Sequence, residues 1–380
     1  MATELEYINM ESRARLLGYP LESYKVITDD GYVLTLFRMV SSKKCNMSDI
    51  EIRKKPILVQ HGLLVSSTSW LLSEANNSLP CLLADACYDV WLGNFRGTNY
   101  SRLHTKFGSN SREFWDFSWH EMGIYDLPAM IDFILKVTRF KSLHYVGHSQ
   151  GTTTFFVMAS TRPKYNSKIT SMHALAPVAY IGNLVSPILR ILGPMVGQPS
   201  LIFELLGDML VVPSSRLLAL MGYEACKKSS PLESICSNLM FLFVGYDTEN
   251  FNKTLIPDII ATSVNAGASA KQLIHYGQII ASHKFREYDH GTVRNLFHYA
   301  QSTAPEYNIS KITAPVYIYF GNNDWLTSIE DIRRLAVRLP NLKSAYRVPY
   351  ARFNHLDFMF AENVTELVYN AVLKNLKRYE

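Results

Sequence analysis

Leu143-His144-Tyr145-Val146-Gly147-His148-Ser149-Gln150-Gly151-Thr152-Thr153 ends an apolar run abruptly on Gly-x-Ser-x-Gly, and a helix-like segment follows. A serine held in a tight strand-to-helix turn exposes its hydroxyl only if the residues two before and two after it carry no side chain that clashes, and Gly147 and Gly151 meet that need. Ser149 is therefore the candidate nucleophile. The backbone N–H of Gln150, at the positive end of the new helix, points where an oxyanion would form. The same letters also suit a plain turn between a core strand and a core helix, so the case depends on the rest of the chain.

Upstream, Tyr24-Lys-Val-Ile-Thr and Tyr32-Val-Leu-Thr-Leu-Phe-Arg-Met-Val alternate around Asp29-Asp30-Gly31, which predicts a β-hairpin. Pro56-Ile-Leu-Val-Gln is a short apolar strand closing on His61-Gly62-Leu63-Leu64. A loop after such a strand is where an elbow-bearing sheet places its second oxyanion donor, here the N–H of Leu63. His61 is read as shaping that loop rather than as a general base. Tyr88-Asp-Val-Trp-Leu-Gly-Asn-Phe-Arg-Gly is another buried strand, and Phe114 to Val137 has helical apolar spacing broken by Pro128, so two helices or one kinked helix fit equally. Ile169 to Pro177 reads as a strand. Strands alternating with helices predict an α/β fold with a mostly parallel sheet covered on both faces.

From about Asn183 that rhythm stops. Apolar segments punctuated by Pro and Gly continue to Thr303, none as long as a membrane span, and predict an inserted helical cap. Strand and helix alternation resumes at Ala314-Pro-Val-Tyr-Ile-Tyr-Phe-Gly, with a helix near Ile329–Leu339, a strand at Ala345–Pro349 and a closing helix from about Asn363 to Lys377. The expected division is core 1–182, cap 183–305 and core 306–380.

A serine hydroxyl needs a base to take its proton and an acid to orient that base, and in this type of sheet they follow in the order Ser, acid, His. Asp324 lies in Phe320-Gly-Asn-Asn-Asp-Trp-Leu, just past the resumed strand. His355, in Phe353-Asn-His-Leu-Asp, follows the last strand and is the only histidine downstream of Asp324. Taken singly, Asp324 could cap a turn and His355 could bond Asp357 or Asn354 on a surface loop. Together with the elbow they predict a Ser149–His355–Asp324 triad, with the Leu63 and Gln150 amides as the oxyanion hole.

At 380 residues and 48% hydrophobic content the chain has ample apolar material for a core, and a net charge of +5 with scattered Lys and Arg gives no sign of nucleic-acid binding. No metal-ligand spacing or cofactor motif is visible. The N-terminal residues are acidic and have no apolar signal-like stretch, which alone suggests cytosol. Asn-x-Ser/Thr acceptor sites at Asn46, Asn76, Asn99, Asn252, Asn308 and Asn363 point the other way, to a secreted or lysosomal chain. The five cysteines, Cys45, Cys81, Cys87, Cys226 and Cys236, allow at most a pair or two of disulfides.

The motifs His61-Gly-Leu-Leu-Val-Ser-Ser, Asp89-Val-Trp-Leu-Gly-Asn-Phe-Arg-Gly, Tyr125-Asp-Leu-Pro-Ala-Met-Ile-Asp-Phe, Gly147-His-Ser-Gln-Gly-Thr-Thr and Asn354-His-Leu-Asp-Phe resemble those of the acid lipase family of α/β-hydrolases, from about Tyr19 to the C-terminus. The resemblance implies hydrolysis of triacylglycerol or cholesteryl ester at a lipid–water interface, a cap with a mobile lid, and Ser149, Asp324 and His355 as the triad. It also implies a disulfide between Cys226 and Cys236, since a similarly placed pair is bridged in the family and the polar, Pro-containing stretch between them can turn the chain back. Two unpaired thiols are the alternative. The segment from Val185 to Met221, charged only at Arg190, Glu204, Asp208 and Arg216, is the expected lid. A soluble carboxylesterase or a non-catalytic lipid carrier of the same fold are competing readings. An epoxide hydrolase or dehalogenase would need an acid at position 149. Nothing in the sequence indicates the oligomeric state.

Overall fold

The computed structural model describes residues 9–40, 42, 44–45, 53–196, 210–212 and 216–380. Its strands are β1 (Leu21–Ile27), β2 (Tyr32–Met39), β3 (Pro56–Gln60), β4 (Asp89–Gly93), β5 (Leu103–His104), β6 (Leu143–His148), β7 (Ile169–Leu175), β8 (Leu210–Val212), β9 (Ala268–Ser269), β10 (Val316–Phe320) and β11 (Leu342–Arg347). All but β8 and β9, which pair with each other, lie in one sheet ordered β1-β2-β4-β3-β6-β7-β10-β11, with β5 beside β2. The β1–β2 hairpin turns at Asp29-Asp30-Gly31, where Gly31 has φ 101° and donates its N–H to the Thr28 carbonyl. Beyond the antiparallel β2–β4 contact, every neighbouring pair from β4 to β11 is parallel.

Because side chains alternate across a strand, each central strand feeds two cores. Leu58, Trp91, Tyr145, Val316 and Ile318 face one side and pack with Met130, Ile134, Phe155, Phe156, Ile332 and Leu335 of the helices Leu127–Thr138, Gln150–Thr161 and Ile329–Ala336. Ile57, Val59, Val90, Leu92, Val146, Tyr317 and Tyr319 face the other side, against Leu79 and Leu83 of Leu79–Asp85 and Val372 and Leu376 of Asn370–Leu376. Strands covered on both faces become continuous apolar runs, as the sequence of β3 and β4 shows.

The stretch around Pro128 is one helical run from Trp119, widened into a π-turn over Met122–Asp126, with Pro128 in the first turn of Leu127–Thr138. Proline removes a backbone donor, and the widened turn accommodates the loss. Gly123 sits in that turn because a Cβ there would lie 2.7 Å from Val157 of the elbow helix. Close contact between these two helices anchors the elbow from one side.

Between β7 and β10 the described chain forms the helices Pro187–Val196, Arg216–Cys226, Glu233–Val244, Ile256–Ala266, Ala270–Ser282 and Thr292–Tyr299. A disulfide joins Cys226 to Cys236 in the next helix, and a second joins Cys45 to Cys87, while Cys81 is a buried free thiol. The Cys45–Cys87 link is one that spacing alone did not identify.

Candidate active site

Parallel strands bring their carboxyl ends to one edge of the sheet, so the loops after β3, β6, β10 and β11 converge there. Ser149 follows β6 directly with φ 52° and ψ −119°, a backbone state that costs a non-glycine residue about 1–3 kcal/mol and must be held by its surroundings. The holding contacts are close. A Cβ on Gly147 would lie 2.7 Å from the Gly151 backbone, one on Gly151 would lie 2.6 Å from the Gln60 carbonyl oxygen, and one on Gly62 would lie 3.1 Å from the Ser149 Cβ. The Ser149 N–H donates to the Leu175 carbonyl of β7 (3.0 Å), and the Ser149 carbonyl accepts from the Thr152 hydroxyl (2.6 Å).

His355 Nε2 is 2.8 Å from Ser149 Oγ, and its Nδ1 is 2.8 Å from Asp324 Oδ2. A carboxylate only accepts, so Nδ1 carries the proton and Nε2 is left to accept from the serine hydroxyl. The other carboxylate oxygen of Asp324 accepts from the N–H groups of Leu326 (2.9 Å) and Thr327 (3.0 Å), which fixes the acid against rotation. Asp324 and His355 are both buried, so the relay lies out of bulk water. The His355 loop is tied by Asn354, whose Oδ1 accepts from the N–H groups of Leu356 and Asp357 and whose Nδ2 donates to the Gly245 carbonyl (3.0 Å).

Gln150 is the first residue of the elbow helix, where an N–H has no carbonyl one turn back to bond. Leu63 lies in the turn after β3, next to Leu64 at φ 60°, so the two expected oxyanion donors sit on loops packed against each other through Gly62. His61 shapes that loop, as its position implied. Its Nε2 accepts from the Phe95 N–H (3.2 Å), which leaves Nδ1 as the donor to the Gly62 carbonyl (2.8 Å), and burial lowers its pKa to about 4.

Two contacts were not legible in the sequence. His148 donates through Nε2 to the backbone carbonyl of His355 (3.0 Å), and its pKa is lowered to about 3, first by burial and then by the neighbouring His355, so it stays neutral. The Gln150 side chain donates to Gln272 Oε1 (2.9 Å), linking the elbow to the helix Ala270–Ser282. These two residues, with Gly62, Leu64 and Met122, line a small pocket beside the elbow. Position 148, between the elbow glycine and the serine, was a signal available for the first contact; nothing local marks Gln272.

Of the other sequence expectations, the Cys226–Cys236 pair is bonded. Asn76, Asn308 and Asn363 are exposed, Asn99 and Asn252 are half-buried, and Asn46 lies outside the described residues. So do 197–209 and 213–215 of the expected lid, including Glu204, Asp208, Leu205 and Leu206. On its described flanks Ile191, Met195, Leu217 and Met221 are exposed. No helix among the described residues is long and apolar enough to cross a membrane.

Residues 55–362 match the family model for the alpha/beta hydrolase fold, and residues 10–74 match that of the partial alpha/beta-hydrolase lipase region. The chain is 43% identical to Lipase 3 of Drosophila melanogaster over 96% of its own length and 91% of the relative's. It is 40% identical to gastric triacylglycerol lipase of Mus musculus, with the same two coverages. Against lysosomal acid lipase/cholesteryl ester hydrolase of Homo sapiens the figure is 38%, covering 96% of this chain and 89% of that one. With the sheet, the elbow and these relatives in agreement, the chain belongs to the α/β-hydrolase fold family and, within it, to the acid lipases.

Proposed function

We propose that the chain is a carboxylic ester hydrolase, a lipase that cleaves acyl esters of neutral lipids, triacylglycerol or cholesteryl ester, through Ser149, His355 and Asp324. The observation that carries this reading is the continuous relay from Asp324 Oδ2 through His355 to Ser149 Oγ, with 2.8 Å at each step. Ser149 Oγ attacks the ester carbonyl carbon while its proton passes to His355 Nε2, and Asp324 stabilises the imidazolium that forms. The Leu63 and Gln150 amides receive the oxyanion. His355 then protonates the departing alcohol, leaving an acyl-serine. A water attacks it, again giving its proton to His355, and the fatty acid leaves as Ser149 recovers the proton.

The segment 183–305 acts as a cap on the core formed by 1–182 and 306–380. Exposed Ile191, Met195, Leu217 and Met221 support contact with a lipid surface, since burying each large apolar side chain there is worth about 1.5–3 kcal/mol. Two disulfides support work in an oxidising setting, secreted or lysosomal.

The test is turnover on a panel of tri-, di- and monoacylglycerols and cholesteryl esters, emulsified and dissolved, from acidic to neutral pH, for the wild type and Ser149→Ala. Hydrolysis of the emulsified neutral lipids that disappears in Ser149→Ala, together with labelling by an organophosphonate, is expected. Turnover that survives in Ser149→Ala would overturn the mechanism, and turnover confined to small dissolved esters would make the protein a carboxylesterase. Aspartates at Leu205 and Leu206 should abolish only the activity on emulsions; parallel loss on soluble esters would assign that segment a purely structural role.

A further inference from the structure

The loop that carries His355 ends on Asp357, which is fully buried. Asp357 Oδ2 accepts from the Asn354 N–H (2.6 Å), while its Oδ1 is buried without an ordinary hydrogen-bond partner. Asp247, on the segment leaving the helix Glu233–Val244, is equally buried. Its Oδ1 accepts from the N–H groups of Glu249 (3.0 Å) and Asn250 (3.1 Å) and from the Tyr350 hydroxyl (3.1 Å), and its Oδ2 is the second buried oxygen with no such partner. The two carboxyl groups lie within hydrogen-bonding reach of each other. Two carboxylates in contact away from water cannot both remain ionised, and an unpaired buried charge is costly. One proton placed between them gives both orphan oxygens a partner.

We propose that Asp247 and Asp357 share one proton, and that this carboxyl–carboxylate bond is a positioning device that holds His355 and Asp324 in register with Ser149. The inference rests on the triad reading above. Its mechanical basis is the segment on which Asp247 sits. The Val244 carbonyl accepts from the N–H groups of Trp325 (3.2 Å) and His355 (3.5 Å), Asn354 Nδ2 donates to the Gly245 carbonyl, and Asn323 Nδ2 donates to the Tyr246 carbonyl (2.7 Å). At Gly245, with φ 110°, a Cβ would lie 2.0 Å from the Asn323 carbonyl oxygen, so this strip of backbone is wedged between the two relay loops. Separating Asp247 from Asp357 therefore shifts the loops that carry both the acid and the base.

The groups that face the pair are Asp324, from the loop after β10, and Tyr350, from the loop after β11; His355 stands two residues before Asp357 on the same loop. Among the described residues no Lys or Arg pairs with either carboxyl; the nearby Arg352–Glu249 ion pair is exposed. Burial, with the Asp247 and Asp324 charges beside it, pushes the Asp357 carboxyl well above the usual carboxylate range. The proton is held through mildly acidic pH and lost as the solution becomes more alkaline. The pair then repels itself, and the relay loosens.

The experiment compares pH profiles of kcat on a dissolved ester for the wild type, Asp247→Asn and Asp357→Asn. An asparagine amide donates N–H to the remaining carboxylate without needing a shared proton, so the alkaline half-point should rise by about one pH unit or more in each variant. A side chain that only supports the fold would scale the profile evenly, and an unmoved half-point in folded variants overturns the proposal. Should either variant fail to fold, the infrared carbonyl band of a protonated carboxylic acid decides on the unmutated protein at about pH 7, where ordinary carboxylates are ionised and Asp126, raised only to about 6, is mostly so. That band is expected in the wild type and in Ser149→Ala alike, and its absence overturns the shared proton. Activity persisting in Ser149→Ala with the band present would instead reject the triad and leave the carboxyl pair standing.

Discussion

Gly151→Ala is the substitution on which the geometry of the elbow makes the firmest demand. A Cβ there would sit 2.6 Å from the Gln60 carbonyl oxygen and 2.9 Å from that of His61, where ordinary contact begins at 3.4 Å. Both obstacles are backbone of the β3 loop and cannot rotate away, so the elbow helix and that loop must part by about 0.8 Å to relieve the closer contact. Parting them moves the Gln150 amide relative to the Leu63 amide and moves Ser149 relative to His355. Misplacement of reacting groups by about 1 Å can cost about a hundredfold in rate, and overpacking of a tight site costs about 1–3 kcal/mol of stability. The expected result is a fall of about a hundredfold in kcat/KM on a dissolved ester, with a lowered urea midpoint but a cooperative transition. Gly108→Ala, where an added Cβ meets nothing within 4 Å, is the control and should be neutral in both assays. If Gly151→Ala kept activity within about threefold of the wild type, the close approach of the elbow to the β3 loop would not be what positions the oxyanion donors.

Asp324→Asn should lower kcat by about three orders of magnitude or more: its amide oxygen can still accept from Leu326 and Thr327, but its NH2 then faces His355 Nδ1 and forces the tautomer that points a hydrogen at Ser149. Near-normal turnover would mean that another acid orients His355. Stability should fall as pH drops below about 6.5, because His61 and His144 have pKa values lowered to about 4, and His148 and His173 to about 3, burial being the main cause in each. The unfolded chain binds these protons first, so stability is full above the unfolded pKa and is lost on acidification, by up to about 2 kcal/mol per histidine at about pH 5, with the raised Asp357 carboxyl acting in the opposite direction. Urea midpoints that stayed level from neutral pH to about pH 5 would refute this. Replacing Cys226 and Cys236 together by serine should cost about 2–3 kcal/mol, read as a lower unfolding midpoint, if closing that short loop restricts the unfolded chain; an unchanged midpoint would show that the link does not contribute.

Features that depend on neighbours along the chain can be read from the residues alone. The elbow was legible because its steric demand falls on residues two positions either side of Ser149. The sheet was legible because β3, β4 and β6 are largely apolar, the mark of strands buried on both faces. Asp324 and His355 could be singled out as candidates because each follows a recognisable strand in an order that the fold imposes. Contacts between segments far apart in the chain are set by packing alone, because their partners leave no periodic trace. His355 meets Ser149 across 206 positions, and His148 reaches back to the His355 carbonyl across 207. Cys45 finds Cys87, and Gln150 finds Gln272 on the helix Ala270–Ser282. Nothing in the sequence marks Asp247 and Asp357 as buried, because a lone carboxylate is normally solvated. Only the packing of the segment after the helix Glu233–Val244 against the histidine loop buries them both.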